Sequence, residues 1–448
     1  MREEIKKKAK ELSKIPLCDA CFGRRFARVG YGMSNAERGR IIKGFLFINA
    51  LFEGDLDTIE NLAKSYEPAR EFLAARLRKR IRAERCYLCN GLLSEKYLDR
   101  LADKVANELV KSGIEFKSFT VGSRGLEDYI KREEELRVKI PTPRGESIKH
   151  EFNRELAKRI AYILDKEPTI ENPDIVVIVR PEGVEEIEIM PVYIKGRYRK
   201  YARGLYQARQ TRAKEGEVES VEELMGEVAK EFFEAEDYRL HAAGREDVDV
   251  RMLGRGRPFV LEIIKPRRRF VDLKKLEKSI NERNEGKIEV TLEGYATKAD
   301  VRKLKESKHK KLYEAIVYVP MGYAEEELKK VVEGLKGKVI KQRTPTRVLH
   351  RRVDKVRLRK VHDVEVEPID KNRFRMRVLA DAGLYIKELV SGDNGRTTPS
   401  VADILGKQAV CEALDVLDII DERARFCIYN DRSLLTRKDV SQFRAIYR

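Results

Sequence analysis

The sequence predicts an α+β protein of two or three domains, on three observations. At 448 residues the chain can bury several cores without covalent staples. Apolar residues recur near helical spacing in the first part of the chain, whereas several later segments alternate at period two. Gln207 to Glu217 is polar and lacks any apolar pattern, which marks a boundary and gives expected units of 1–94, 95–206 and 218–448.

From Arg2 to Arg85, Phe45, Leu51, Leu56, Ile59 and Leu62 recur among abundant Lys, Arg and Glu, which predicts a helical insert. The insert lies between two Cys-X-X-Cys pairs, Cys18/Cys21 and Cys86/Cys89. Two such tight turns supply four thiolates to one tetrahedral Zn²⁺ once folding brings them together, so structural zinc is expected. The alternatives are reduced core cysteines or a redox pair. Because the pairs are far apart, the insert must fold back to join them. Cys411 and Cys427 stand alone and read as ordinary core or surface thiols.

The next segments mix helix and strand. Leu98 to Leu109 reads as a helix, Ile114 to Val121 as a strand, and Phe152 to Asp165 as an amphipathic helix. Asn172-Pro173-Asp174 leads into a Val- and Ile-rich strand to Val179, and Glu185 to Ile194 alternates through much of its length. Gly196 to Gly204 interleaves Arg197, Arg199, Lys200 and Arg203 with tyrosines, which suits phosphate contact and base stacking, or else a solvated linker. Glu219 to Tyr238 reads as an acidic amphipathic helix.

A formal net charge of +18 and a pI of 9.4 favour a polyanionic partner, since each neutralised phosphate releases counterions. Nucleic acid fits better than a membrane: no run approaches about 18 apolar residues, and Met1-Arg2-Glu3-Glu4 lacks a signal-peptide core. A cytoplasmic location is expected. Charged residues make up 38% of the chain, a composition suited to ion-pair networks at high temperature.

The most informative stretch is Gly244-Arg245-Glu246-Asp247-Val248-Asp249-Val250-Arg251, followed by Gly254-Arg255-Gly256-Arg257. Strand periodicity would place Asp247 and Asp249 on one face, with the valines entering a core and the glycines forming an Arg-rich turn. Arginines around an ionised carboxylate face suit a phosphate-rich substrate, although a solvated hairpin with surface ion pairs has the same composition. The block resembles the Gly-Arg-Thr/Glu-Asp block of RNA pseudouridine synthases. Together with Gln342 to Arg352, Gly383 to Val390 and Gly395-Arg396-Thr397, it resembles the archaeal and eukaryotic tRNA pseudouridine synthases that modify T-loop uridines 54 and 55. Those enzymes join an N-terminal zinc and THUMP region to a divergent catalytic domain, and the Pro-Asp-Ile-Val-Val run resembles a THUMP strand.

That resemblance implies a mixed, mainly antiparallel catalytic sheet, tRNA bound at its T loop and acceptor region, no organic cofactor and no obligate protein partner. It also implies that Asp247 is the catalytic carboxylate, with Asp249 its competitor. Lys387 would hold that carboxylate ionised, Tyr313 would stack on the uracil with Tyr385 as rival, and Leu414 would close the pocket. Arg245 would enter the RNA stack as the base flips out, while Arg347, Arg351 and Arg352 would grip phosphates that offset unstacking. THUMP modules also accompany methyltransferases and thiolation enzymes, but no glycine-rich loop for a methyl donor and no Ser-Gly-Gly loop is present. A non-catalytic zinc-containing tRNA chaperone would share the charge, cysteines and THUMP-like region.

Overall fold

The structure, a computed structural model, describes residues 3–420 apart from 28, 143–144, 211–218, 307–308 and 351. The chain divides into two compact units, Met1–Met190 and Pro191–Arg448.

In the first unit, helices Asn35–Glu53, Leu56–Ala63 and Glu67–Arg76 fill the segment between the cysteine pairs. Ser34 starts the longest of them through a capping box with Glu37, and Gly54 ends it in the left-handed conformation. Of the expected stripe, Ile59 and Leu62 are buried, while Phe45, Leu51 and Leu56 are exposed. The helix Glu95–Ser112 buries Leu98, Leu101, Ala102, Val105 and Leu109, the i, i+3, i+4, i+7 pattern of a core-facing stripe. It packs with Ile148–Leu164 beside a four-stranded sheet of β1 (Ser118–Ser123), β2 (Glu167–Pro168), β3 (Ile175–Arg180) and β4 (Gly183–Ile189), in the order β2-β1-β3-β4.

The second unit is built on a ten-stranded sheet. Its strands are β5 (Val192–Lys200), β6 (Asp237–Ala242), β7 (Arg251–Ile264), β8 (Ile288–Ala296), β9 (Lys310–Tyr318), β10 (Val339–Arg343), β11 (Val356–Pro368), β12 (Arg373–Ala380), β13 (Thr397–Thr398) and β14 (Val410–Ile420). They run in the order β13-β10-β11-β12-β9-β14-β7-β5-β8, with β6 paired to β7. The β14·β7 pair is parallel and the other pairings are antiparallel, so the sheet is mixed and mainly antiparallel, as expected.

Three expectations change. The boundary falls at Met190/Pro191 and not at 207–217, because β5 hydrogen-bonds to β7 and β8 inside the large sheet. The alternating run 185–194 therefore serves two sheets. The acidic helix covers only Val221–Phe233: Glu234 adopts a left-handed cap, and Tyr238 lies in β6. Gly254 to Arg257 is not a turn but part of β7.

Candidate active site

A cavity of about 620 Å³ opens in the second unit, and Asp247, Tyr313, Lys387 and Leu414 all line it. Its central feature is the segment joining β6 to β7. Residues 245–250 are irregular and include a turn closed by the Val250 N–H on the Asp247 carbonyl, at 3.1 Å. The expected strand through Asp247 and Asp249 is therefore replaced by a loop, and the two carboxylates reach different partners.

Buried polar groups hold this loop. The Glu246 carboxylate meets the Arg257 guanidinium at 2.7 Å, both side chains being fully buried. The Tyr198 hydroxyl donates to Glu246 at 2.8 Å, and the Gln207 amide donates to the Gly244 carbonyl at 3.0 Å. Lys200, on β5, donates to the carbonyls of Leu205 (2.7 Å), Asp247 (3.2 Å) and Val248 (3.2 Å). Burial pushes the Lys200 ammonium down to about 8, against the pull of Glu246. Gly244 has φ +85°, a left-handed conformation that strains any other residue, so the turn-in to Glu246 favours glycine; the Lys311 amine lies 2.8 Å from where a Cβ would stand.

With its backbone fixed from below, Asp247 directs its carboxylate to Arg347, 2.8 Å away. Arg347 also donates to Glu388 at 2.7 Å, and its guanidinium stands 5.9 Å from the centre of the Tyr385 ring. Lys387 does not hold Asp247. It bonds Asp249 at 2.6 Å, which draws that carboxyl below its usual range although burial acts the other way. Helix Ile386–Ser391 explains the pairing, since Lys387 and Glu388 are adjacent and diverge around its first turn. Spacing along the sequence carries no information on which of two nearby carboxylates a cation reaches.

The walls come from β9 and β14. Tyr313 is buried on β9, and burial pushes its phenol up to about 12. Val416 is its register partner, and Leu414 lies opposite Ala315. Tyr385 also lines the cavity, so both tyrosine candidates are present. At the rim, Arg245 and Arg352 are exposed. Arg245 has no ion pair among the described residues, and Arg351 lies outside them. Arg197, Arg199 and Arg203 have internal partners: Arg197 meets Gly256 O and Glu293, Arg199 meets Gly254 O and Glu289, and Arg203 meets Leu414 O and Asp415. Tyr198 between them is wholly buried, so this run is sheet interior along much of its length. Residue spacing did not identify Glu388 or the Glu246–Arg257 pair as parts of the site, because each acts through contacts distant in sequence.

In the first unit, the sulfurs of Cys18, Cys21, Cys86 and Cys89 lie within 4.8 Å of one another, with Cys18 and Cys89 3.6 Å apart. A tetrahedral ion with sulfur ligands at about 2.3 Å separates them by roughly 3.8 Å, so the set fits one metal ion. The Cys21 N–H points at Cys18 Sγ (3.5 Å), and Arg24 donates to Cys21 Sγ (3.2 Å), as suits sulfurs bearing negative charge. Cys411 is half-buried, and Cys427 lies outside the described residues. Among the described residues no helix is long and apolar enough to cross a membrane.

Comparison with known proteins supplies an independent line. Residues 193–420 match the family model described as Pus10, C-terminal, and residues 101–180 match the archaeal Pus10 THUMP domain. A relative from Pyrococcus furiosus, named tRNA pseudouridine synthase Pus10, is 44% identical over 422 residues, covering 93% of this chain and 98% of its own length. Relatives of the same name from Methanopyrus kandleri and Methanocaldococcus jannaschii are 42% and 41% identical, covering 92% of this chain in each case and 97% and 93% of their own lengths.

Proposed function

The chain belongs to the Pus10 family of tRNA pseudouridine synthases, and from that membership we propose that it isomerises uridine 54, uridine 55 or both in the T loop of tRNA, with Asp247 as the catalytic carboxylate. The observation that carries this reading is the Asp247–Arg347 pair, at 2.8 Å, in a cavity bounded by Tyr313 and Leu414.

The reaction breaks the N1–C1′ bond of uridine, turns the freed uracil and joins C5 to C1′, with the C5 proton lost to solvent and N1 taking one up in its place. Atoms and electrons balance without a redox partner or group donor, so no organic cofactor is required. A carboxylate beside C1′ acts as nucleophile or as base while positive charge develops there. Arg347 keeps Asp247 ionised and aimed, and Glu388 fixes Arg347 in turn. Tyr313 offers a ring for the flipped base, and Leu414 an apolar wall that excludes water. At the rim, Arg245 and Arg352 are free to meet RNA, and Lys387 orders Asp249 beside the entrance.

The four cysteines are assigned to structural zinc, remote from the chemistry in role. The archaeal THUMP match supports contact with the tRNA acceptor region by the first unit.

The test is tritium release from a tRNA transcript carrying [5-³H]uridine, followed by mapping of the modified positions. Wild type should release tritium, and Asp247→Ala should lose at least about 10³-fold in turnover, or roughly 4 kcal/mol in barrier, while still binding tRNA. Activity of that variant within about tenfold of wild type would remove Asp247 from its role.

A further inference from the structure

Three lysines are buried among the described residues: Lys43, Lys200 and Lys311. Two of them show how this fold satisfies an ammonium taken out of water. Lys43 donates to Leu17 O, Asp19 and Ser65 O, and Lys200 donates to three backbone carbonyls. Lys311 has no hydrogen-bond acceptor and no ion pair among the described residues. Its nearest charged neighbours are Arg257, of like sign, and Glu246, whose oxygens are engaged by Arg257, Tyr198 and Gln207. Its side chain is largely buried but borders the cavity, so the acceptor that the protein does not supply is one that a molecule bound there can.

Its position indicates that role. Lys311 lies on β9 two residues before Tyr313, and both side chains line the cavity. At period two they project from the same face of the strand. The amine lies beneath Gly244, three residues before Asp247. A base stacked on Tyr313 would therefore present an edge near Lys311 while its ribose faces Asp247.

We propose that Lys311 is a further substrate-contacting residue, whose ammonium donates a hydrogen bond to a carbonyl oxygen of the uracil as it leaves C1′. This rests on the isomerase reading given above. When the N1–C1′ bond breaks, its electron pair remains on uracil and the charge spreads onto the two carbonyl oxygens. Donation to one of them stabilises the detached base until C5 bonds to C1′, the C5 proton departs and N1 takes up a proton. The proton on Lys311 is not consumed. Burial and Arg257 push the free ammonium down to about 7, and an adjacent anion acts in the opposite direction. The interaction therefore strengthens as the anion forms, which is the condition for stabilising a transition state more than the bound substrate. A phosphate is the weaker candidate for the missing acceptor, since the exposed cations Arg245 and Arg352 stand at the rim.

The experiment compares full-length wild type, Lys311→Met, Lys311→Gln and Asp247→Ala by tritium release, tRNA binding and thermal unfolding. Lys311→Met and Lys311→Gln should lower kcat by about 10²-fold or more, as removal of one donor to a developing oxyanion does, with KM within threefold. The melting temperature of Lys311→Met should not fall, because methionine carries no amine to desolvate. Three results would overturn the proposal: kcat within threefold of wild type, a raised KM at unchanged kcat as a phosphate contact would give, or turnover lost together with melting temperature in both variants. If Asp247→Ala kept full activity, the Asp247 assignment would fail while the Lys311 comparison remained valid. A wild type that binds tRNA but releases no tritium would overturn both.

Discussion

Arg347 holds two carboxylates at once, Asp247 through one terminal nitrogen and Glu388 through Nε. A planar guanidinium spans both positions, whereas an ammonium is a single point charge. Arg347→Lys should therefore lower kcat/KM by about 10²-fold through misplacement of Asp247, with melting changed little, as measured by single-turnover tritium release. The Glu246–Arg257 pair behaves differently, because both side chains are fully buried. Truncation to Glu246→Ala strands a guanidinium, and denaturant unfolding should show a loss of about 3–5 kcal/mol. Residue types at this site were legible in the sequence, but partners were not. Lys387 was expected to support Asp247 and supports Asp249, because the turn at residues 247–250 sends the two carboxylates apart.

Among the elements, β7 carries a constraint that its sequence disguises. Gly254 has φ +56°, and a Cβ there would sit 1.9 Å from the Leu417 carbonyl of β14. Gly254→Ala should therefore push β14 away, costing about 2 kcal/mol or more by thermal unfolding and reducing turnover, since β14 supplies Leu414. A Gly-Arg-Gly-Arg run reads as a turn by composition, and only the close approach of β14 shows why glycine occurs inside a strand. Helices with an uninterrupted apolar stripe were legible: Leu98–Leu109 was expected and Glu95–Ser112 forms around it. The Asp-Val-Asp-Val alternation mimicked a strand, but Gly244 and the carbonyl bonds from Lys200 impose a loop. The placement of β5 in the large sheet was illegible, because it depends on pairing with residues more than 50 positions downstream.

For the whole molecule, the +18 charge sets how binding responds to salt. If about six phosphates are contacted, tRNA affinity should fall roughly 10³-fold between 50 and 200 mM salt, a slope that filter binding would measure. Chelation should lower the melting temperature of the first unit and weaken tRNA binding before it affects single-turnover chemistry on bound tRNA, if the cysteines hold a structural ion. Calorimetry with and without chelator would separate these effects, and loss of chemistry in folded, tRNA-bound enzyme would contradict a structural role. The order of the large sheet adds a consequence in time. Strand β14, at residues 410–420, inserts between β9 and β7, which are made much earlier in synthesis. A nascent chain that has not yet extruded β14 carries two open strand edges and a cavity lacking one wall, so it is open to wrong pairings. Completion of the cavity is thus a late event in the birth of each molecule, and an unfinished chain has no closed site to offer.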